Sequence, residues 1–484
     1  MDTNKMLIDG QWLDSSEGKY IEVENPATEQ IFDRVPAASA ADVDSAVMAA
    51  HGAFKGWASL SCEKRGEYLH RAADLAAERA DEIASLMTRE QGKPWVESKG
   101  EVLKGAEILH YYAEEGKRVY GRVVPGLDAA TTSYVLYEPV GVSAAISPWN
   151  YPIELVGWKV GGALAAGCTM VVKPPSETPL SPLAFVKCLA DAGVPKGVVN
   201  VVFGRGSSVG TSLIRHPLVK KVAFTGSTEV GREVAKLCAD QMKKVSLELG
   251  GQCPLIVSRS CNLSEAVKGA VRRSFRNMGQ ICIAINRIYV QQKIYDAFLG
   301  AFVEGTSKLT IANGTLKPDA DLGPMANRAG VEKTIRHIED AVSKGARVAY
   351  GGKRPEGREY EKGHFFMPTI LTGVNHEMLV MHEETFGPVV GVMPYSTVEQ
   401  VIEWANSTDY GLASYVYTGD LDEVDAFSRG LESGNVAFNN PDAGVINAPY
   451  GGYKQSGSGY EHGPEGLEHY LRAKHVRVRY FNRK

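Results

Sequence analysis

The sequence predicts an α/β protein built from a doubly wound domain, a second α/β domain and a small β arm. Three observations carry that reading. The chain has 484 residues with 44% apolar content, too many for one ordinary core, so two or three domains are expected. Between residues 140 and 250 short β-branched runs alternate with loops and helical periodicity, the order of a parallel sheet wound on both faces. Residues 254–433 repeat that alternation with different loops.

Taken in order, residues 7–35 alternate short apolar runs with Gly, Asn-Pro and Asp, as strands and turns do at a domain edge. From residue 40 to about residue 118, apolar positions recur every three or four residues (Leu69, Ala72, Ala73, Ala76; then Val102, Ile108, Leu109, Tyr112), with Gly92-Lys93-Pro94 as the one clear break. That pattern asks for a helical layer over a sheet and for no chemistry. Residues 119–139, rich in aromatic and β-branched side chains, read as a hairpin-like pair of strands whose edge needs covering. The period-two run 475–481 is the candidate to pair with it, in its own subunit or a neighbour's, and a homodimer or homotetramer is expected on that ground.

Within 140–250, strands are expected at 142–146, 169–172, 199–203 and 221–224. The apolar run 155–172 approaches membrane-spanning length, but it holds Lys159 and four glycines and ends at Lys173-Pro174-Pro175. It therefore reads as a buried helix followed by a buried strand. Thr225-Gly226-Ser227 opens a helix whose free backbone N–H groups and positive dipole end suit a pyrophosphate. The spacing from Gly226 to Gly231 is not G-x-G-x-x-G, so an ordinary strand-to-helix turn stays equally open from the motif alone. In the second segment strands are expected at 287–290, 347–350 and 389–394.

Charge narrows the function classes. The 53 basic and 57 acidic residues give a net charge of -4 without blocks, so neither nucleic acid nor an anionic membrane is expected as a partner, and a small molecule is. Seven cysteines form an odd set without C-x-x-C spacing, which indicates neither a disulfide framework nor a zinc site and fits reduced thiols in the cytoplasm. Met1-Asp2-Thr3-Asn4-Lys5 leads into polar sequence rather than the apolar region of a secretory signal.

Four stretches carry the chemistry. Cys282 stands between Ile281 and Ile283 in Phe275-Arg276-Asn277-Met278-Gly279-Gln280-Ile281-Cys282. The others are Ser147-Pro148-Trp149-Asn150-Tyr151-Pro152, Leu247-Glu248-Leu249-Gly250-Gly251 and Glu383-Glu384-Thr385-Phe386-Gly387-Pro388. Each has a bland reading by itself: a buried thiol, a turn-forming Asn150, a surface Glu248, a core Phe386. Together with Lys173-Pro174-Pro175-Ser176-Glu177-Thr178-Pro179, the Phe224 to Gly231 turn and Pro449-Tyr450-Gly451-Gly452-Tyr453-Lys454-Gln455-Ser456-Gly457, they form a set. On that set the sequence resembles the NAD(P)-dependent aldehyde dehydrogenase superfamily, in its non-acylating, hydrolytic branch, from about Met6 to Arg479.

The resemblance implies a dinucleotide-binding domain of residues 1–118 and 140–250 and a catalytic domain of residues 251–440. An oligomerisation arm would comprise residues 119–139 and 471–484, and residues 441–470 a substrate loop and the return to the cofactor domain. It makes Cys282 the nucleophile, which must react as a thiolate. Asn150 would donate to the developing oxyanion. Glu248, flanked by leucines, would activate the hydrolytic water with a pKa raised by desolvation; Glu461 would relay its proton or hold the local strand. For the cofactor it implies Ile146, Ser147, Trp149, Gly226, Ser227 and Val230, Glu384 for the nicotinamide ribose, Phe386 beside the ring, and Lys173 for the adenosine ribose. Ser176 departs from the family's NAD-preferring pattern, which carries a glutamate there. A serine beside Lys173 removes the repulsion a carboxylate would exert on a 2′-phosphate, so NADP as well as NAD is expected to be accepted. No catalytic metal is expected.

The resemblance places Tyr151, Glu154, Trp158, Ile281, Ile283 and Tyr450 around the aldehyde. Relatives that take succinate semialdehyde generally carry an arginine near the Trp158 position or near the cysteine. With tryptophan and isoleucine there, an acidic aldehyde is expected to meet no cation and to face Glu154. An aromatic, medium aliphatic or amino aldehyde is expected instead, with a succinate-semialdehyde type enzyme as the alternative. A cofactor-independent cysteine hydrolase is a further alternative, disfavoured because no histidine lies in the motif set.

Overall fold

The computed structural model describes residues 4–126 and 128–481. The readings at residues 1–3 and 482–484 lie outside them. Two large sheets organise the chain, each with its own apolar core.

The first sheet runs Gln11–Leu13, Met6–Ile8, Val199–Val201, Thr169–Lys173, Val142–Ile146, Val219–Thr225, Lys244–Glu248, Gly457–Ser458 in spatial order. Its five central strands are parallel and its edges antiparallel. From Val142–Ile146 the chain winds outward to one side, then returns to build the other side from Val219–Thr225. These two neighbours therefore flank the topological switch point, the place where ligands bind in an open α/β sheet. The loops that leave them carry Ser147 to Asn150 and Gly226-Ser227. The apolar run reads out as helix Glu154–Ala166 and strand Thr169–Lys173, joined by Gly167, and both are buried.

The helical layer comprises Ala40–Ala58, Cys62–Glu78, Ala80–Gln91 and Trp95–Glu115, so it breaks more often than at Gly92-Lys93-Pro94 alone. Ser61 accepts from the Lys64 N–H and caps the second helix; such short polar side chains compete locally with helix continuation. The strand expected at 199–203 stops at Val201, because the Phe203 carbonyl turns away to accept from the Ala38 N–H at 2.8 Å.

The second sheet has the spatial order Arg347–Tyr350, Thr369–Thr372, Val389–Tyr395, Ile285–Gln291, Cys253–Val257, Ala413–Tyr417, Asn435–Phe438. All of its pairs are parallel except the first. Cys282 lies in the turn just before Ile285–Gln291. In the third sheet Leu471–Arg479 pairs antiparallel with Thr131–Pro139 of the same chain, from Leu471 opposite Pro139 to Arg479 opposite Thr131, and Arg122–Val124 pairs on the other side. No helix among the described residues is long and apolar enough to cross a membrane.

Candidate active site

Two cavities meet at Cys282. One, of about 660 Å³, opens over the switch point; the other, of about 440 Å³, lies between the helix Glu154–Ala166 and the end of the helix Leu263–Phe275. Cys282, Asn150 and Leu155 line both.

The cysteine is placed by a forced turn. Asn277, Met278 and Gly279 all take left-handed backbone angles, with φ of 49, 59 and 68 degrees. A Cβ at Gly279 would overlap the Gly387 carbonyl, so only glycine fits. Asn277 accepts from Gln91 Nε2 at 2.9 Å and donates to the Asn150 carbonyl at 3.1 Å. The same carbonyl accepts from Lys93 Nζ at 2.8 Å, and Lys93 is paired with Glu101 at 2.5 Å, both side chains fully buried. Asn150 Nδ2 donates one bond to the Gln280 carbonyl at 2.9 Å, which leaves its second N–H for another acceptor. Residues of the helical layer thus hold the Asn150 loop, a role that hydrophobic periodicity did not signal.

Cys282 is half-buried, and its thiol is pushed up to about 12, first by enclosure and then by the nearby Glu384 and Glu248 carboxylates. The Tyr450 hydroxyl and the cysteine's own backbone N–H act in the opposite direction. Glu248, at the end of Lys244–Glu248, is buried, lines neither cavity, and makes no hydrogen bond with either carboxylate oxygen. Burial, then the neighbouring Glu461, hold its carboxyl well above the usual range, while Lys159 and Lys221 pull the other way. Glu461 lines the smaller cavity and pairs with Lys159 at 2.7 Å.

All ten residues expected around the cofactor line the larger cavity: Ile146, Ser147, Trp149, Lys173, Ser176, Gly226, Ser227, Val230, Glu384 and Phe386. Ser227 caps the helix Thr228–Ala239, whose N-terminus faces the cavity. Glu384 accepts from the Gly251 N–H at 3.0 Å, and a Cβ at Gly250 would crowd its carboxylate at 2.7 Å. Phe386 meets Trp149 edge-on at 5.4 Å. A helix N-terminus for a diphosphate and a carboxylate for a ribose hydroxyl are the donor and acceptor set that a dinucleotide needs. Sequence reasoning missed Arg205 and Lys333 in the same lining.

A sequence profile described as "Aldehyde dehydrogenase family" matches residues 12–476. The chain belongs to the aldehyde dehydrogenase family. It is 45% identical over 473 residues to the NADP(+) succinate-semialdehyde dehydrogenase of Escherichia coli K12, covering 97% of this chain and 96% of that one. It is equally 45% identical over 470 residues to a 3-sulfolactaldehyde dehydrogenase of Pseudomonas putida, with the same coverage. Among solved structures, betaine aldehyde dehydrogenase of Staphylococcus aureus in complex with NAD+ superposes with a TM-score of 0.96 at 34% identity, covering 100% of this chain and 95% of that one. The chain is thus an oxidoreductase that oxidises aldehydes with NAD or NADP. Among the described residues no group of three or more His, Cys, Asp or Glu could hold a metal ion.

In this aldehyde dehydrogenase the smaller cavity holds every residue expected around the substrate: Tyr151, Glu154, Trp158, Ile281, Ile283 and Tyr450. Its charge corrects the sequence reading. An acidic aldehyde would meet cations after all, because Arg272, Arg273 and Arg276 line it from the end of the helix Leu263–Phe275. They stand six to ten positions before Cys282, beyond its immediate neighbours in sequence. Arg273, nearly buried, is neutralised by Asp442, which Arg272 also contacts at 3.1 Å. Arg276 donates through Nε to Glu97 at 2.9 Å, and its terminal nitrogens make no hydrogen bond among the described residues. Glu154 also lines the cavity, its side chain making no hydrogen bond or ion pair among the described residues and its carboxyl raised by burial and by Glu101.

A histidine outside the motif set does reach the cavity. His462 lines this cavity, stacked between Trp158 at 3.2 Å and Tyr450 at 4.8 Å. Its Nδ1 lies 3.3 Å from the Val445 carbonyl, and it makes no hydrogen bond to Cys282, so a cysteine–histidine pair is not formed.

Proposed function

We propose that this enzyme oxidises a short aldehyde carrying an anionic group at its far end, and that it accepts NADP. The observation that carries the substrate reading is the arginine wall, above all Arg276, which lines the cavity and whose terminal nitrogens hydrogen-bond to none of the described residues. The names of the two relatives support it, since succinate semialdehyde carries a carboxylate and 3-sulfolactaldehyde a sulfonate.

The Cys282 thiolate attacks the aldehyde carbon, and the carbonyl oxygen becomes an oxyanion that accepts from the free N–H of Asn150 Nδ2 and from the Cys282 backbone N–H. Such donors are worth roughly 3–4 kcal/mol each. The nicotinamide, when bound, supplies the acceptor for the hydride that converts this thiohemiacetal to a thioester. Glu248 turns from its buried position toward the thioester and takes a proton from the attacking water, releasing the carboxylic acid and restoring the thiolate; Lys159 and Glu461 lie behind it to pass the proton on. Ser176, Lys173 and Arg205 would hold a 2′-phosphate, with Glu177 at the rim as the competing acid. The exposed Tyr120 and Val123 of the arm support a homo-oligomer, and the free thiols a reducing, cytoplasmic setting. The two cores, one built mainly from residues before 250 and the other from residues 253–437, support a division into a cofactor domain and a catalytic domain.

The unpartnered Glu154 supports a second reading, an aldehyde that also bears an amino group. The test is kcat/KM for succinate semialdehyde, pentanal, 4-aminobutanal and an aromatic aldehyde, each with NAD and NADP. The anionic substrate should lead. A leading neutral or aromatic aldehyde would sink the first reading, and a hundredfold preference for NAD would sink the cofactor reading.

A further inference from the structure

We propose that Tyr450 is a catalytic residue of this enzyme, its phenolic O–H donating a hydrogen bond to the Cys282 thiolate. The hydroxyl lies 3.4 Å from Sγ. Among the described residues no other side chain hydrogen-bonds to that sulfur. The ring is held for this contact. Its backbone exchanges two bonds with Glu461, both 2.8 Å, and its face stacks on His462, which in turn stacks on Trp158.

The rest of the surroundings give the thiolate little help. Glu248 and Glu384 bring acids toward it; Cys253 and Tyr415, which bond the Cys282 and Ile283 carbonyls, are neutral, and so is the His462 ring, whose pKa burial lowers. Only the cysteine's own backbone N–H acts with Tyr450. Burial holds the Tyr450 phenol well above its usual range, so it carries its proton at neutral pH and can donate it to the sulfur.

A hydrogen bond that lowers a thiol pKa increases the thiolate fraction but makes each thiolate less nucleophilic, with a sensitivity of about 0.4–0.5 per unit. The two effects separate with pH. If the bond lowers the pKa by about one unit, then Tyr450→Phe should lower the Cys282 alkylation rate at neutral pH by roughly threefold to fourfold and raise the limiting rate at high pH by about threefold. A purely structural ring would not produce that crossover.

The experiment is alkylation of the full chain by iodoacetamide, without cofactor or aldehyde, across neutral to alkaline pH, read from the mass of the Cys282 peptide. The midpoint should rise in Tyr450→Phe and equally in Tyr450→Leu, which removes hydroxyl and stack together. An unchanged or lowered midpoint in Tyr450→Phe, or a rise confined to Tyr450→Leu, would overturn the proposal. It rests on the Cys282 chemistry above. Aldehyde oxidation by Cys282→Ala tests that chemistry, whereas alkylation tests only the bond, so the two ideas fail separately.

Discussion

Replacing Arg276 by glutamine tests the substrate reading where it is most exposed. Arg276 Nε bonds Glu97, which also accepts from the Tyr151 hydroxyl at 3.1 Å. Glutamine can keep a bond to Glu97 while losing the charge that faces the cavity. A hydrogen bond to a charged partner contributes about 1.5–3 kcal/mol. The Arg276 side chain is 33% exposed, so solvent screening favours the lower half of that range. At about 1.4 kcal/mol per decade, kcat/KM for succinate semialdehyde should fall by roughly tenfold to fortyfold, while pentanal, which reaches a similar distance with a terminal methyl in place of the carboxylate, should change less than about threefold. Added salt should weaken the wild type toward the anionic substrate and affect the variant less, because screening acts on the pair. The assay is initial nicotinamide reduction at low aldehyde concentration, with both substrates and at two ionic strengths. An equal loss for both substrates would show that Arg276 only supports the fold around Glu97 and Tyr151, and would refute the anion argument.

Ser176→Glu should restore the carboxylate that repels a 2′-phosphate, cutting kcat/KM for NADP at least about tenfold and leaving NAD within about threefold; parallel losses in cofactor titrations would refute the assignment. Glu461→Gln removes an acid that raises the Glu248 pKa and leaves Lys159 unpaired, so the rising limb of the kcat–pH profile should move to lower pH. A limb that moves up or stays fixed would contradict Glu248 as the base. Glu90 accepts from the Leu180 N–H at 2.7 Å and from both the N–H and the hydroxyl of Ser181, and burial pushes its carboxyl up to about 8. An acid whose folded pKa exceeds the unfolded value binds more protons in the native state, so its contribution is full at low pH and is lost as pH rises toward 8. Thermal melting of Glu90→Gln should therefore depend less steeply on pH between about 5 and 8 than the wild type; identical slopes would refute it.

How legible each feature was depended on the length scale of its signal. Strand Val142–Ile146 and helix Glu154–Ala166 were readable because burial imposes continuous apolar runs, and Ser227 because a cap is a local contact. The strands Lys244–Glu248, Cys253–Val257, Ala413–Tyr417 and Asn435–Phe438 were not singled out. The first mixes lysine with serine and glutamate and the second contains Pro254, so neither period nor composition marks those two off from loops. The lining of the larger cavity was legible through family motifs that occupy contiguous stretches. The arginine wall was not, since its meaning depends on where the end of the helix Leu263–Phe275 points.

The Asn150 loop shows why the illegible part bears on chemistry. An oxyanion donor helps only if it is already oriented when charge develops, and Asn150 lies in a loop whose conformation its own short sequence does not fix. Its carbonyl is held by Lys93 and Asn277, and its amide by Gln280. Lys93 can be spent in this way because Glu101, fully buried beside it, balances its charge and also accepts from the Ile153 N–H at 2.9 Å. Breaking one member of such a buried pair costs roughly 3–5 kcal/mol, so the arrangement is rigid. The helix break at Gly92-Lys93-Pro94, which asks for no chemistry when read along the chain, is thus one side of the clamp that holds Asn150, the proposed oxyanion donor, in the cavities it shares with Cys282.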